Sequence, residues 1–244
     1  MKGELKKRLG QHFLHSESVL DFEAELAVVG GMRVLEIGGG DGRLTEKLLE
    51  RGPKELIVVE KDPHWAEELR RKFGKTVKVV EGDFLEEEFG GVDVIVGNIP
   101  YYISSPILFK IAKMEFKRAI LLVQLEFAKR MVAKPRTSEY GRLSVTTQLL
   151  FRPTYVKKVK RGSFVPPPKV DSAIVLLRKT EGAALNEWVG KVIRVLFQHK
   201  NQYISNALKH GRIEFEGELP KKRAREMGPG EIVELAERLR PSRA

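Results

Sequence analysis

The sequence contains no cysteine among its 244 residues. This absence excludes disulfide bonds, thiolate metal sites and a cysteine nucleophile. It also has no apolar run of the roughly 18 residues that a membrane-spanning helix needs. The N-terminal stretch MKGELKKRLGQHF lacks the apolar segment of a signal peptide. We therefore expect a cytoplasmic protein with no metal and no membrane partner.

Hydrophobic residues make up 42% of the chain and charged residues 32%, as in a soluble globular protein. The charged fraction exceeds the usual share of about a quarter, which is typical of proteins from heat-adapted hosts. The length suits one large domain, or one large and one small domain.

The net charge of +11 is concentrated in one segment. Residues 126–161 hold 10 lysine and arginine residues against 2 acidic ones, a net charge of +8. These basic residues are Lys129, Arg130, Lys134, Arg136, Arg142, Arg152, Lys157, Lys158, Lys160 and Arg161. Such a local excess favours a polyanionic partner beside a separate nucleotide-binding half, although charge alone is equally consistent with a solvated basic face.

In the first half, short β-rich runs alternate with amphipathic stretches, which predicts a mostly parallel sheet wrapped by helices. The predicted strands are 32–38, 55–60, 77–82, 92–97 and 119–125, and the predicted helices are 42–51, 63–73 and 105–114. Asp62 before Pro63 is a typical helix start, and we expect Ser105 and Pro106 to repeat it.

After residue 125 the pattern predicts helices at 126–134 and 139–150. Two β-rich runs around a Gly/Pro loop follow, TYVKKVK and DSAIVLLRK, and we expect them to pair antiparallel at the sheet edge. From about residue 182 the pattern is helical again. We therefore expect a nucleotide-binding domain over 1–180 and a small helical substrate domain over 181–244.

The stretch EIGGGDGRLT, residues 36–45, joins the first strand to the first helix, where glycines allow a close approach to a ligand. Glu60 ends the next strand, where a carboxylate can bind the two hydroxyls of a ribose. The stretch lacks the third glycine of a dinucleotide site and the lysine of a P-loop, which favours a nucleoside without a pyrophosphate. Asp83 follows the third strand and can accept from an adenine amino group, although each of these residues alone could be an ordinary turn residue.

The stretch NIPYY, residues 98–102, follows the fourth strand, so Asn98 should lie at the same sheet edge as Gly38 and Glu60. The amide oxygen of Asn98 and a backbone carbonyl at Ile99 or Pro100 could accept from an adenine amine and direct its lone pair at an electrophile. Tyr101 could stack on a base swung out of its strand. We expect Tyr102 to pack behind the pocket, and a simple turn with two half-buried tyrosines is the alternative.

Six blocks of the sequence resemble the rRNA adenine N6-dimethyltransferases, which use S-adenosylmethionine and modify two adjacent adenines near the end of small-subunit rRNA. The blocks are GQHFLHS (10–16), EIGGGDGRLT (36–45), NIPYYISSPIL (98–108), EYGRLSVTTQ (139–148), GSFVPPPKVDSA (162–173) and FQHKNQYISNAL (197–208). The resemblance implies an α/β fold with the Rossmann-like sheet of class I methyltransferases, an antiparallel edge hairpin and a small C-terminal helical domain. It also implies a role in ribosome biogenesis.

Carried over by position, the resemblance implies cofactor contacts from His12, Leu14, Gly38, Gly40, Glu60, Asp83 and Asn98. It implies contacts to the target base from Asn98, Pro100, Tyr101 and Phe164, with Phe164 stacking opposite Tyr101. The chain departs from the family pattern at His12, where Asn is usual, and at Gly39, where Pro is common. We expect an rRNA or immature small-subunit partner and a monomer.

Three other functions remain open at this stage. The erythromycin-resistance methyltransferases modify large-subunit rRNA and share a similar NIPY motif, but the EYGRLSV and FQHKNQYISNAL blocks favour the small-subunit group. DNA adenine-N6 methyltransferases use a related motif, but they usually carry a larger sequence-reading domain. A non-catalytic RNA-binding assembly or transcription factor on the same fold is the alternative from another class.

Overall fold

In a computed structural model of the chain, residues 12–180 and 185–241 are described. Residues 10 and 11 of the GQHFLHS block, residues 181–184 and both chain ends lie outside the described residues. The chain divides into two compact units. The first unit comprises Met1–Ala128 and Thr154–Lys179, and the second comprises Lys129–Pro153 and Thr180–Ala244.

Nine strands are assigned within the described ranges. They are β1 (Phe13–Leu14), β2 (Arg33–Ile37), β3 (Glu55–Glu60), β4 (Lys78–Glu81), β5 (Val94–Asn98), β6 (Arg118–Gln124), β7 (Phe151–Val159), β8 (Phe164–Val165) and β9 (Ser172–Lys179). Seven of them form one sheet in the order β4-β3-β2-β5-β6-β9-β7. The five strands from β4 to β6 pair in parallel, and β9 pairs antiparallel with β6. This topology confirms the predicted α/β fold with an antiparallel part at the sheet edge.

The helices of the described residues lie in the regions that the sequence predicts, except for the first one, which was not predicted. They are α1 (Glu17–Ala27), α2 (Arg43–Leu49), α3 (Pro63–Phe73), α4 (Ser104–Lys113), α5 (Leu125–Val132), α6 (Arg142–Leu150), α7 (Glu187–Gln198), α8 (Ile204–His210) and α9 (Pro229–Arg238). The Asp62 carboxylate accepts from the His64 N–H at 3.0 Å and so caps α3 as predicted. The similar start expected at Ser105 and Pro106 is wrong, because α4 begins at Ser104 and has no side-chain cap.

The central strands of the sheet are apolar on both faces. Val34, Leu35, Val94, Ile95 and Val96 have no exposed surface. A parallel sheet covered by helices on both sides buries both faces of its strands, which explains why these runs read as continuously hydrophobic. Burial of this kind fixes the strands and therefore the positions of the residues that follow them.

The second unit has its own hydrophobic core. Helix α6 contacts α7 and α9, and Tyr140, Leu196 and Ile232 are fully buried in the cluster that they share. Residues 129–153 therefore belong with the C-terminal helices, whereas we expected the domain boundary to fall only at residue 180. The expected division needs this correction because α6 buries its apolar face against those helices.

Within the described ranges, no helix is both long and apolar enough to cross a membrane.

Replacing Tyr140 by phenylalanine should destabilise the second unit. The Tyr140 hydroxyl donates to the Met227 carbonyl at 2.8 Å, and the side chain has no exposed surface. Its loss leaves a buried carbonyl without this donor, which costs about 1–3 kcal/mol. Urea unfolding should show a lower free energy of unfolding for Tyr140→Phe than for the wild type. It should show no change for Tyr155→Phe, because Tyr155 is 37% exposed. Equal stability of the two variants would contradict this assignment.

Candidate functional site

A pocket of about 180 Å³ lies where the carboxyl ends of β2, β3 and β5 meet. All ten site residues expected from the sequence line it: His12, Leu14, Gly38, Gly40, Glu60, Asp83, Asn98, Pro100, Tyr101 and Phe164. They come from separate parts of the first unit, and the parallel sheet brings them together. This position is the usual ligand site of an open α/β sheet.

The turn after β2 is shaped for close approach of a ligand. Gly38 has φ of +77°, its N–H donates to the Val59 carbonyl at 2.8 Å, and a Cβ built there would meet no atom within 4 Å. Gly40 has φ of +50°, and a Cβ there would lie 2.9 Å from the Phe13 ring. Glycine is thus required at both positions, and the space above Gly38 is open for a bound group.

Gly39 is packed closely although it replaces a common proline. A Cβ built at Gly39 would lie 2.4 Å from Val58 Cγ1 and 2.8 Å from Leu69 Cδ1. These two side chains fill the space that a larger residue would need, so the local packing suits glycine here.

Glu60 ends β3 with its carboxylate inside the pocket wall and only 6% of its surface exposed. The Gly40 N–H donates to Oε2 and the Asp62 N–H donates to Oε1, each at 2.9 Å. Burial raises the pKa of Glu60, and the backbone donors oppose that rise. The two oxygens have four lone pairs, and the three backbone donors Gly40, Asp62 and Lys61 leave at least one of them for a ligand hydroxyl.

Asp83 is held by its own turn and by a lysine. The Leu85 N–H donates to Oδ1 at 2.9 Å, and the Lys61 ammonium donates to Oδ2 at 2.7 Å. The hydrogen bond from Lys61 is the main reason why the pKa of Asp83 lies below its ordinary value. The carboxylate is therefore ionised at neutral pH and retains lone pairs for an amino group.

Glu36 is a pocket residue that the sequence analysis did not assign. Its Oε2 accepts from the Thr45 hydroxyl at 2.7 Å, whereas its Oε1 is buried without a hydrogen-bond partner. Burial raises the pKa of Glu36 to about 8, and the charges of Glu23 and Glu60 add to that rise. The available signal was an acidic residue inside the apolar run of β2.

These features fit the cofactor that the resemblance implies. S-Adenosylmethionine has a ribose, an adenine and a cationic methionine end. Glu60 and Asp83 offer acceptors for the first two, and the unpartnered Oε1 of Glu36 offers one for an ammonium group. The open turn at Gly38 leaves room for the ligand between them.

A two-stranded sheet positions the N-terminal motif and the Phe164 loop. Strands β1 and β8 pair antiparallel, with Leu14 opposite Phe164. The His12 side chain contacts the Pro166 carbonyl through Nδ1 at 2.8 Å. A carbonyl can only accept, so this contact places the proton on Nδ1. Phe164 lines the pocket but is only 3% exposed, so stacking on its ring face requires the ring to turn outward.

The two tyrosines after Pro100 differ in their surroundings. The Tyr101 hydroxyl lies 2.7 Å from the Ser172 hydroxyl, and burial raises the pKa of Tyr101, which keeps it neutral. Tyr102 is 65% exposed and lines the pocket. The expectation that Tyr102 packs behind the pocket is therefore wrong.

Asn98 forms a contact behind the pocket that the sequence analysis also missed. With its amide nitrogen turned toward α1, Nδ2 lies 3.1 Å from both carboxylate oxygens of Glu23. We assign this orientation because the reverse one would place the amide oxygen against those two acceptors. Glu23 is fully buried, and burial raises its pKa to about 8. The available signal was an acidic residue in the apolar stripe of α1, beside Leu20 and Ala24.

All ten basic residues of the segment 126–161 are exposed. Six of them lie in the second unit and four in the first, on β7 and the turn that precedes Phe164. Lys158 pairs with Asp171 at 2.8 Å, and the Lys157 ammonium lies 4.4 Å from the centre of the Phe22 ring. Exposed cations on both units are thus available to an anionic partner.

Known proteins resemble this chain over most of its length. The sequence model of the ribosomal RNA adenine dimethylase family matches residues 3–237. A protein of Pyrococcus abyssi named as a probable ribosomal RNA small subunit methyltransferase A is 43% identical over 205 residues, which cover 83% of this chain and 75% of that protein.

Two solved structures share both fold and sequence with this chain. A dimethyladenosine transferase from Plasmodium falciparum has a TM-score of 0.80 and 31% identity, covering 92% of this chain and 96% of that one. The 23S rRNA methyltransferase ErmE has a TM-score of 0.71 and 32% identity, covering 93% and 99% respectively.

Stability of the cofactor-free protein should fall as pH rises from about 5 to about 8 because unfolded glutamates titrate near 4.3. Burial raises the pKa of Glu23 and of Glu36 to about 8, so between these values the folded state binds more protons than the unfolded state. Glu36→Gln removes one of these two titrating groups while keeping an acceptor for Thr45. The free energy of unfolding of this variant, measured in urea, should therefore fall less steeply with pH than that of the wild type.

The matched control is Glu67→Gln, which changes an exposed glutamate of α3 and should leave the pH dependence of the wild type unchanged. If the stability of Glu36→Gln depended on pH as that of the wild type does, this result would contradict the raised pKa of Glu36.

Proposed function

The chain belongs to the ribosomal RNA adenine dimethylase family, and on this premise we propose that it dimethylates N6 of two adjacent adenines near the 3′ end of small-subunit rRNA. It is an S-adenosylmethionine-dependent methyltransferase of the class I fold. The observation that carries the substrate proposal is the pocket in which Gly38, Glu60, Asp83 and Asn98 meet at one sheet edge.

Within this pocket Asn98 is proposed to select and activate the target amine. The lone pair of an adenine amine is delocalised into the ring, so the amine is a poor nucleophile. Hydrogen-bond acceptors around that nitrogen favour its pyramidal form and direct its lone pair at the electrophile. S-Adenosylmethionine, when bound, supplies the methyl group as an electrophile on its sulfonium. The released proton can pass to water, so the chain needs no general base of shifted pKa.

The second acceptor is proposed to be the Ile99 carbonyl. The Pro100 carbonyl already accepts from the Ile103 N–H at 3.1 Å and from the Ser104 hydroxyl at 3.4 Å. A carbonyl oxygen has two lone pairs, so Pro100 has none left for a base. Its role is then to fix the turn, and the Ile99 N–H, which donates to Leu122 at 3.0 Å, holds that turn against β6.

Tyr101 is proposed to stack on the face of the flipped adenine, and Phe164 to form the opposite wall. The hydrogen bond between Tyr101 and Ser172 fixes the tyrosine ring at the pocket edge. Aromatic stacking contributes about 1–3 kcal/mol per base and holds a base that has left its own stack. Because Phe164 is only 3% exposed, it forms this wall with little of its ring surface.

The proposed RNA contacts come from exposed basic residues on both units. Phosphate contacts from a minority of the ten cations would orient an rRNA hairpin while the pocket reads one unstacked base. We further propose that the helical second unit serves RNA binding. We also propose that the protein is a monomer and that it is cytoplasmic.

Methylation of large-subunit rRNA is the second candidate because the fold resembles ErmE nearly as closely as it resembles the dimethyladenosine transferase. The small-subunit assignment is favoured by relatives such as the Pyrococcus abyssi protein, which has a higher identity of 43%. The family match and the complete pocket speak against a factor that only binds RNA, although an assembly role can accompany catalysis.

Incubation with labelled S-adenosylmethionine should label undermethylated small subunits at the two adenines near the 3′ end of the rRNA. Asn98→Ala should abolish labelling because it removes the acceptor for the amine. Glu67→Ala, which changes an exposed residue of α3 in the first unit, should not. Large-subunit rRNA and DNA are assayed in parallel, and label there but not on the small subunit would contradict the proposal.

A further inference from the structure

Glu23 occupies a position that packing alone does not explain. The buried residues of α1 are Val19, Leu20, Glu23, Ala24 and Ala27. Four of them are apolar, as expected for a helix face turned toward a core. Burying a carboxyl group in such an apolar stripe costs free energy unless a polar partner forms a hydrogen bond with it. The partner in this structure is the Asn98 amide, whose nitrogen lies 3.1 Å from both carboxylate oxygens.

The contact gives the Asn98 amide a direction. Asn98 lines the pocket, whereas Glu23 does not and lies behind it. A carboxylate offers only acceptors, so it binds the nitrogen end of the amide and turns the oxygen end away from itself. An amide or a hydroxyl at position 23 could bind either end and would give no such selection.

We infer that Glu23 is a positioning residue for methyl transfer, because its carboxylate holds the Asn98 carboxamide with Oδ1 toward the adenine amine. This inference rests on the proposed function and adds a residue to that same site. The reverse orientation would present N–H donors to the amine, which is itself a donor, and would remove the acceptor that activates it. Glu23 therefore acts on the reacting nitrogen only by orienting the Asn98 amide.

The ionised form of Glu23 is required for this role. Burial opposes the ionisation of Glu23. Donation from the Asn98 amide favours it, and so does a positively charged cofactor in the adjacent pocket. The sulfonium charge of a bound cofactor thus favours the amide orientation, whereas S-adenosylhomocysteine lacks this charge and its binding does not depend on Glu23.

Glu23→Gln tests the inference because it keeps the size of the side chain but removes the preference for one end of the amide. The single-turnover rate of methyl transfer to undermethylated small subunits should fall about tenfold, the lower end of the effect of losing an orienting partner. The dissociation constant for S-adenosylhomocysteine, measured by calorimetry, should stay at its wild-type value, and the melting temperature should not fall below that of the wild type. Glu25→Gln, on the exposed side of the same helix, is the matched control and should leave the rate unchanged.

A measurement without substrate separates this inference from the proposed function. In ¹⁵N-labelled protein that holds S-adenosylmethionine but no RNA, the side-chain amide signal of Asn98 is assigned from its absence in Asn98→Ala. Its protons should exchange slowly in the wild type, and its shift should change in Glu23→Gln but not in Glu25→Gln.

Fast exchange in the wild type, or a signal that is the same in Glu23→Gln, overturns the contact whatever RNA the enzyme modifies. An unchanged rate, or a rate that falls together with cofactor affinity and melting temperature, overturns the positioning role. Absence of methyl transfer by the wild type to any RNA would instead contradict the proposed function while leaving the contact test intact.

Discussion

The parallel pairing of β3, β2 and β5 is the constraint on which the site depends. Parallel strands end at the same edge of a sheet, so the residues that follow them meet although they are far apart in sequence. The register places Ile37 beside Val59 and Gly97, one residue before Gly38, Glu60 and Asn98 respectively. Burial of the strands on both faces fixes that register, because a slip would expose apolar side chains.

The pocket built on this edge is acidic and partly desolvated. Glu36 and Glu60 line it, and Glu23 lies behind it. Burial alone would disfavour three carboxylates in so small a region, and it raises the pKa of each one. S-Adenosylmethionine carries a sulfonium and an ammonium group against a single carboxylate, so its net positive charge offsets part of this cost when it binds. The positive charge of the bound cofactor also favours the ionised form of Glu23, which orients the Asn98 amide.

Much of this architecture could be predicted from the sequence because it depends on local patterns. The five parallel strands were placed within two residues at each end by their apolar runs, and the cap at Asp62 was confirmed. The pocket residues followed from the strand ends. Glu23 was missed because its role comes from a tertiary contact between α1 and β5: the apolar stripe of α1 marks Glu23 as unusual, but it does not identify Asn98 as its partner. Tyr102 was misplaced for a related reason, since the turn that starts α4 at Ser104 directs it outward.

A neutron diffraction structure with S-adenosylhomocysteine and an rRNA hairpin carrying the two adenines would test the central claim directly, because it distinguishes amide nitrogen from oxygen. Our account predicts one adenine in the pocket with N6 about 3 Å from Asn98 Oδ1, and Nδ2 turned toward Glu23. An adenine bound outside the pocket, or one that faces the amide nitrogen of Asn98, would contradict it.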